Sequence, residues 1–340
     1  MSTQYVRQFS RRRFLGGVTL AGTAGLLGVP LRPVAAEPPP ETTRIRMVYP
    51  DISVCPIPQF VAEELLQSEG FTDVQYVQVG PGLDYTKLVA GDVDFAMRFV
   101  GSGIVQIDAG EPVLLLAGVH IGCYELFGTD RVRSLRDLKG KKVGVPSLQD
   151  SRYLFVASAA AYVGLDPRQD IDWVTQPTAE LMRLFTEGKI DAFLGFPPEP
   201  QELRAQQIGH VLVNTAVDRP WSQYFCCMLV ASPKFVRAHP VATKRAVRAI
   251  LKAADICALD PERGARLLVE KGLTPRYDYA LQAIQELPYN KWHEYDAEDT
   301  VRFYALRLHE IGLIKSTPQK IIAQGTDWRF FNALKKELKG

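Results

Sequence analysis

The segment Val93–Val119, VDFAMRFVGSGIVQIDAGEPVLLLAGV, has the pattern of strand, helix and strand that decides the fold class. Val93–Phe99 favours a strand, Ser102–Ala109 has the spacing of a short helix, and Gly110–Pro112 ends that helix. Val113–Val119 is a continuous apolar run, which is typical of a strand buried on both faces. Strand and helix alternate, so the segment predicts an α/β fold with a parallel sheet covered by helices.

The same alternation continues on both sides of this segment and restarts once farther along the chain, near Leu135. Each set of strands and helices is large enough to build one lobe. Two lobes also suit a chain of 340 residues. We expect further strands at Arg44–Tyr49, Asp73–Val79, Val143–Val145, Ile171–Val174, Ile190–Phe196, Val211–Val213 and Gln223–Ala231, and helices at Pro56–Glu69, Tyr85–Gly91, Gln149–Gly164 and Ala179–Gly188.

Beyond Ala231 the composition turns helical and predicts no further strand. The simplest architecture completes the first lobe with these helices, so that residues 44–123 and 226–340 form one lobe and residues 127–222 the other. The chain then crosses between lobes twice, near Cys123–Phe127 and Tyr224–Met228. The helices are expected at 233–238, 241–259, 261–271, 277–287, 298–311 and from 328 onward.

The N-terminus resembles a twin-arginine export signal. Ser10–Leu15 reads SRRRFL, a weakly apolar run follows at Gly16–Val29, and Val34–Ala36 has the small residues of a cleavage site. The apolar run is too short to span a membrane, and a basic tail with an amphipathic start is the alternative. We expect residues 1–36 to be a signal peptide, cleaved after Ala36, and the mature protein to be periplasmic.

The charge of the chain argues against nucleic acid as a partner. The formal net charge is +2, but without the five arginines of the predicted signal the chain has 35 basic and 38 acidic residues, a net charge of −3. A surface near neutrality gives no electrostatic reason for binding nucleic acid or anionic membrane. We expect a monomer that binds a small molecule.

Six short segments, in order over residues 44–260, resemble the substrate-binding proteins of the nitrate, sulfonate and taurine family, which overlaps in fold with binders of thiamine-pyrimidine precursors. The resemblance implies a type II periplasmic binding-protein fold, with two doubly wound lobes, two hinge crossovers and a C-terminal helical block. It also implies that the protein delivers a solute to the permease of an ABC importer. The segments are Gly91–Phe95, Ala109–Val113, Leu135–Val145, Gly164–Pro167, Glu187–Ala192 and Ser232–Phe235.

In open parallel sheets, ligands bind beyond the carboxyl ends of the strands. Arg98 near the end of an apolar strand needs an anionic partner, which is either a ligand or a structural acid. Ser147–Asp150 opens a helix, where polar groups either hold a ligand or cap the helix. The predicted ligand-binding residues are Tyr49, Asp51, Arg98, Ser102, His120, Ser147, Gln149, Asp150, Phe196, Glu199, Trp221 and Tyr224.

Aromatic residues are concentrated at the same strand ends, which favours an organic, anionic or heteroaromatic ligand over a bare oxyanion. Trp221 and Tyr224 are examples, although some of these rings must serve as hinge core. His120 follows a buried strand and is either a ligand group or a hydrogen-bonded structural residue.

The five cysteines and five histidines lack the spacing of a metal site, and the sequence predicts neither a metal nor a cofactor. We interpret Cys226 and Cys227 as buried thiols on opposite faces of a strand, against a vicinal disulfide, a metal site or a redox role. Thiamine-pyrimidine synthases share the fold and have a cysteine-rich segment nearby, so an enzyme is the alternative function. A ligand-sensing protein that contacts a membrane receptor is the third; we expect no catalytic residue.

Overall fold

The structure, a computed structural model, describes residues 37–49, 53–79 and 84–338. The predicted signal peptide and Asp51 lie outside the described residues. Among the residues described, no helix combines the length and apolarity that a membrane crossing requires.

Ten strands lie in the described residues and form two five-stranded sheets. The first sheet has the order β2-β1-β3-β10-β4 and the second the order β7-β6-β8-β5-β9. Numbered along the chain, the strands are β1 (Arg44–Tyr49), β2 (Asp73–Gln78), β3 (Phe95–Phe99), β4 (Leu114–Ile121), β5 (Glu125–Gly128), β6 (Lys141–Val145), β7 (Ile171–Thr175), β8 (Ala192–Gly195), β9 (His210–Asn214) and β10 (Phe225–Ala231).

Both sheets repeat one strand order. Three parallel strands take the order second, first, third; an antiparallel strand follows, and the fourth strand closes the edge. The sheets were expected to be parallel, and each is instead mixed, with one antiparallel strand. β5 and β10 are the antiparallel strands. Each is the first strand that the chain forms after it crosses from one sheet to the other.

Helices cover these sheets, and those after β10 form the predicted C-terminal block. The described helices are α1 (Ile57–Val61), α2 (Glu63–Ser68), α3 (Asp84–Ala90), α4 (Val100–Asp108), α5 (Ser151–Tyr162), α6 (Thr178–Thr186), α7 (Glu199–Ala205), α8 (Pro233–Ala238), α9 (Pro240–Leu259), α10 (Pro261–Glu270), α11 (Tyr277–Glu286), α12 (Ala297–Glu310), α13 (Pro318–Gly325) and α14 (Arg329–Glu337), with 3₁₀ turns at Leu135–Leu138, Trp221–Gln223 and Tyr289–Lys291.

The α/β fold class is confirmed, and most predicted elements lie within a few residues of their expected ends. Four elements differ. The helix expected at Pro56–Glu69 is two helices that meet at Ala62, α4 begins at Val100 rather than Ser102, and neither β5 nor α13 was predicted. No side chain caps the start of α4, so it carries none of the usual sequence signals of a helix start.

Candidate functional site

The chain connections bring the carboxyl edges of the two sheets together. One crossover leaves the carboxyl end of β4 at Ile121 and enters β5 at Glu125; the other leaves β9 at Asn214 and enters β10 at Phe225. The first crossover covers four Cα steps, so its ends lie at most about 15 Å apart. The loops beyond the carboxyl ends of the two sheets therefore face each other, and this is the position of the predicted ligand site.

The two crossovers are also bonded to each other. The backbone N–H of Tyr124 donates to the hydroxyl of Thr215 at 3.0 Å, and that hydroxyl donates to the Tyr124 carbonyl at 2.9 Å. Gly122 has φ +74°, and a Cβ built there would lie 2.8 Å from the Cβ of Ala216. The crossovers thus form one bonded pair rather than two independent linkers.

A recess of about 510 Å³ lies at the carboxyl ends of β6 and β7. Its volume falls in the range of small-molecule sites, which runs from roughly 300 to 1,000 Å³. Its lining carries hydroxyl and amide groups but no charged side chain, and the Ser147 hydroxyl accepts from the backbone N–H of Gln149 at 3.3 Å. The lining residues are Pro146, Ser147, Leu148, Gln149, Thr175, Gln176 and Pro177.

Asp150, next to this recess, caps helix α5. Its carboxylate accepts from the backbone N–H of Arg152 at 2.8 Å, which is the capping role that the sequence leaves open as the alternative to ligand binding. An anion at this helix start would face that carboxylate. A direct ligand contact by Asp150 stays a prediction.

Arg152 and Glu199 form a largely buried ion pair beside the recess. Their side chains are 13% and 17% exposed, and the guanidinium donates to the carboxylate at 2.9 Å. Glu199 also accepts from the backbone N–H of Phe196 at 2.9 Å, and Arg152 donates to the hydroxyl of Thr178 at 3.0 Å. Burial raises the pKa of Glu199, and the charge of Arg152 opposes that shift. Glu199 is therefore held by protein groups, and its predicted role toward a ligand stays a prediction.

The predicted aromatic residues lie mainly in apolar contacts around the crossovers. Trp221 is buried, with its ring centroid 6.1 Å from that of Phe155 and 5.5 Å from that of Tyr162. Tyr224 stacks on Phe303 of α12 at 4.1 Å. These contacts join the second crossover to helices on both sides, as expected for hinge core.

Phe196 is half-buried, and its ring centroid lies 5.7 Å from that of Tyr124 in the first crossover. Tyr49 donates its hydroxyl hydrogen to the carbonyl of Lys271, and its ring packs edge-on against Phe60 at 5.5 Å. Phe196 therefore lies beside the hinge, whereas Tyr49 contacts the C-terminal helical block.

Arg98 and Ser102 lie at the junction of β3 and α4. The Arg98 guanidinium donates to the carbonyl of Met97 at 3.1 Å, and the half-buried Ser102 lies in the first turn of the helix. Their ligand roles stay predictions.

His120 lies inside β4 and is fully buried, because the strand continues to Ile121 instead of ending at Val119 as expected. Its Nδ1 lies 3.0 Å from the Ile121 carbonyl, and its ring centroid 4.8 Å from that of Tyr289. His120 is therefore a strand residue and not a loop residue.

Cys226 and Cys227 both approach Cys123, so the expectation that they lie on opposite faces is wrong. The Sγ atoms of Cys123 and Cys226 are 2.8 Å apart, and those of Cys123 and Cys227 are 3.7 Å apart. The pairing of β10 with β4 shifts between Phe225 and Cys227, which makes Cys226 the extra residue of a β-bulge. All three thiols are buried, as predicted. Hydrogen bonds from the neighbouring thiols lower the pKa of Cys227.

An ionic triad connects the second sheet to the C-terminal helical block. Arg204 of α7 donates to Glu125 of β5 at 2.6 Å and to Glu286 of α11 at 2.6 Å. Gln201 also donates to Glu286, at 3.1 Å. Glu125 is only 5% exposed, and burial raises its pKa to about 7, against the opposing charge of Arg204. We refer to Gln201, Arg204 and Glu286 as the polar latch.

Of the predicted residues, Ser147 and Gln149 line the recess, with Asp150 beside it, while Phe196, Trp221 and Tyr224 lie near the crossovers. Sequence reasoning missed Thr175, which ends β7, and Gln176, which follows it, although the position of strand ends could have indicated both. It also missed the polar latch and the approach of Cys55 to the other thiols, for which the sequence offers no local pattern.

Comparison with known families gives one match that covers more than half of the chain. The profile of a family described as "NMT1/THI5 like" matches residues 60–264. A curated relative from Brucella abortus, whose name assigns a binding role without a ligand, is 25% identical over 193 residues, 56% of this chain. The match spans only 59% of that relative's own length. The bicarbonate-binding protein CmpA of Synechococcus elongatus is 29% identical over 106 residues, 31% of this chain and 22% of CmpA.

Solved structures show the same fold at low sequence identity. The periplasmic nitrate-binding protein NrtA from Synechocystis PCC 6803 has a TM-score of 0.72 at 14% identity and covers 88% of this chain and 90% of its own. The alkanesulfonate-binding protein SsuA from Xanthomonas axonopodis pv. citri, bound to MOPS, has a TM-score of 0.67 at 17% identity and covers 86% of this chain and 100% of its own. Both support the periplasmic binding-protein fold.

Proposed function

The chain belongs to the NMT1/THI5-like family, and from this we propose that it is a periplasmic solute-binding protein that delivers a small molecule to the permease of an ABC importer. The relatives with named roles are binding proteins, and the proposal gives this chain a binding role without catalysis. Export through the twin-arginine pathway and action as a monomer belong to the same proposal.

One observation carries this proposal. Two sheets of identical strand order have their carboxyl edges turned toward each other, and two crossovers that are hydrogen-bonded to one another join them. Open α/β sheets bind ligands at this edge, and two sheets that face each other there form a cleft. We propose lobes at 44–123 plus 226–340 and at 127–222, which close over the ligand about the crossovers.

The recess on the second sheet supports a ligand with polar, hydrogen-bonding groups. Ser147, Gln149, Thr175 and Gln176 offer hydroxyl and amide groups, while Leu148 offers apolar contact. Asp150 places a negative charge beside the recess, so this side of the cleft suits a neutral or nitrogenous portion of the ligand better than an anionic one. We therefore infer a small organic ligand, recognised here through hydrogen bonds.

Native mass spectrometry of the freshly purified mature protein tests this directly, because a ligand held in the cleft co-purifies. A thermal-shift panel follows, with alkanesulfonates, carboxylates and pyrimidines set against nitrate and sulfate. A ligand at 100 times its Kd adds about 2.7 kcal/mol to the free energy of unfolding. We expect an organic compound to raise Tm; a rise only with nitrate or sulfate contradicts the organic assignment, and no rise with any compound contradicts the binding role.

The recess is tested with the double variant Ser147→Ala/Gln149→Ala. Two lost hydrogen bonds of about 1 kcal/mol each should raise the Kd of the identified ligand by about 10- to 30-fold, with little change in Tm of the free protein. Gln67→Ala, at an exposed position on α2, is the matched control and should leave the Kd unchanged. Calorimetric titration measures both; an unchanged Kd in the double variant places the ligand elsewhere.

A further inference from the structure

Four cysteines and one histidine meet at the carboxyl edge of the first sheet, outside the recess. Two overlapping groups share Cys123: Cys55, His120 and Cys123 form one, and Cys123, Cys226 and Cys227 the other. Within each group the Sγ and ring nitrogen atoms all lie within 4.8 Å of one another. All five residues are buried. We refer to these five residues as the thiol cluster.

Residues far apart in sequence build the thiol cluster. Cys55 lies between β1 and α1, His120 lies in β4, and Cys123 lies in the first crossover with φ +127°. Cys226 and Cys227 begin β10, where the bulge lets both adjacent side chains approach Cys123. A non-glycine residue at a positive φ is uncommon and strained, so the chain holds the Cys123 thiol here at a conformational cost.

The hydrogen bonding of His120 leaves one ring nitrogen available as a ligand. Nδ1 lies 3.0 Å from the Ile121 carbonyl, an acceptor, so Nδ1 carries the hydrogen and Nε2 the free lone pair. Nε2 is buried and has no hydrogen-bond partner within the part of the chain that the structure describes. Metal-binding histidines show this arrangement, in which the second nitrogen donates to a carbonyl and fixes the ring.

The sulfur distances distinguish the two thiols of β10. Two sulfurs bound to one tetrahedral zinc ion, each at about 2.3 Å, lie about 3.8 Å apart. The separation of 3.7 Å between Cys123 and Cys227 agrees with this value. The separation of 2.8 Å between Cys123 and Cys226 is too short for two ligands of one tetrahedral ion, and it exceeds the disulfide length of about 2.05 Å.

We propose that Cys55, His120 and Cys123, one of the two groups, bind a thiophilic cation, Zn²⁺ or Cu⁺, and that Cys227 of the other group moves toward them to complete a closed four-coordinate site, with Cys226 as a neighbouring thiol. Sulfur and imidazole donors select these ions over Mg²⁺ and Ca²⁺, which prefer oxygen. Binding of Zn²⁺ forms three Zn–S bonds and one Zn–N bond, and the three thiols release three protons to solvent. With four protein ligands the site has no open position, so the ion is structural and ties β4, β10 and the segment after β1 together beside the hinge.

The test uses the mature protein purified under reducing conditions, and it begins with the metal content. Elemental analysis should find about one zinc or one copper ion per chain, and the identity of the metal decides between the two ions. Unfolding in denaturant with a chelator, followed by refolding with Co²⁺, should give the intense visible absorption and sulfur-to-cobalt charge-transfer bands of a tetrahedral thiolate site. This measurement needs no variant and therefore does not depend on a variant folding.

Variants then locate the ion. Cys123→Ala and His120→Asn should lower the metal content by at least about tenfold or abolish the charge-transfer bands, since second-shell changes alone already cost 10- to 100-fold in affinity. Cys226→Ala should keep the ion. Cys257→Ala is the matched control, because Cys257 is equally buried but lies in α9, outside the two groups. Its metal content should equal that of the unchanged protein.

Three results would overturn the proposal. The first is that the isolated protein contains no metal and binds none of Zn²⁺, Cu⁺ and Co²⁺ when it is refolded with them. The second is a Cys123–Cys226 disulfide in the isolated protein, seen as a loss of two hydrogen masses and two titratable thiols. The third is bound metal that Cys257→Ala removes and Cys123→Ala retains.

Discussion

Glu125 shows how the surroundings of a single residue set its chemistry. Its carboxylate is almost completely buried and receives one guanidinium, that of Arg204, which Glu286 also shares. Burial favours the neutral acid, and Glu286 adds a like charge, so together they outweigh the attraction of Arg204 and raise the pKa of Glu125 to about 7. The side chain therefore titrates near neutral pH instead of near pH 4.5.

We expect this residue to make stability depend on pH. An acid with a higher pKa in the folded than in the unfolded protein binds its proton more tightly when folded, so its contribution to the free energy of unfolding falls as pH rises from about 4.5 to 7. The full change is about 3 kcal/mol, at 1.36 kcal/mol per pKa unit. Glu125→Gln should remove it, so urea unfolding between pH 4.5 and 8 should show a flatter profile for the variant.

Glu111→Gln, at an exposed position, is the control and should keep the profile of the unchanged protein. A Glu125→Gln profile parallel to that of the unchanged protein would show that Glu125 is charged throughout this range.

For single residues, sequence reasoning identified those that lie just after the end of a strand. It missed those whose role depends on partners far away in the sequence. Ser147 and Gln149 were predicted because they follow β6, and they line the recess. Glu125 gave no signal, because its partners Arg204 and Glu286 lie far along the chain. Cysteine spacing predicted no metal site, since Cys55 meets the other thiols only after the sheet has formed.

Among the elements, the two crossovers decide how the sheets can move. Thr215 and Tyr124 bond the crossovers to each other, and Gly122 lies against Ala216. A rotation between the sheets must therefore bend both crossovers together, which favours a single hinge axis over independent twisting.

Gly122→Ala tests this packing, with Gly140→Ala as a matched control. Both glycines have φ near +70°, so each alanine has a similar backbone cost of about 1–2 kcal/mol. A Cβ at Gly140 would meet nothing within 4 Å, whereas one at Gly122 would meet Ala216. We expect Gly122→Ala to lower the free energy of unfolding by about 1–3 kcal/mol more than the control does. If denaturant unfolding shows that both variants lose the same free energy of unfolding, the two crossovers can move apart to accept the new methyl group without cost.

The elements that sequence reasoning missed also lie at this hinge. β5 has only four residues, ELFG, and the sequence offers no alternation from which to recognise so short a strand. Its place in the sheet comes from its partners β8 and β9 and not from its own propensity. The bulge at Cys226 likewise depends on its register with β4, which no local pattern encodes.

At the scale of the whole molecule, the polar latch joins the two proposed lobes on one side of the hinge. Gln201 and Arg204 belong to the second, and Glu286 belongs to the C-terminal block of the first. The pair of Arg204 and Glu286 is partly exposed, with side chains 28% and 35% accessible, so its contribution is about 1 kcal/mol at most. A contribution of this size is enough to change the ratio of closed to open forms several-fold.

Glu286→Ala should therefore shift the free protein toward an open form. We expect a larger radius of gyration in small-angle X-ray scattering and a Kd for the identified ligand about fivefold higher. Glu298→Ala breaks a comparable pair with Arg302 inside α12 and should change neither. If both variants behave alike, the latch does not control closure.

The central position of β10 has a consequence for synthesis of the chain. β10 separates β3 from β4, yet it is synthesised only after the whole second sheet, residues 125–214. Until then β4 lacks β10, the one strand that pairs with it within the described ranges, and it presents an apolar edge of the kind on which nascent chains aggregate. The second sheet can form as soon as β9 emerges from the ribosome. The first sheet, whose strands are separated in sequence by the second, therefore completes its folding last.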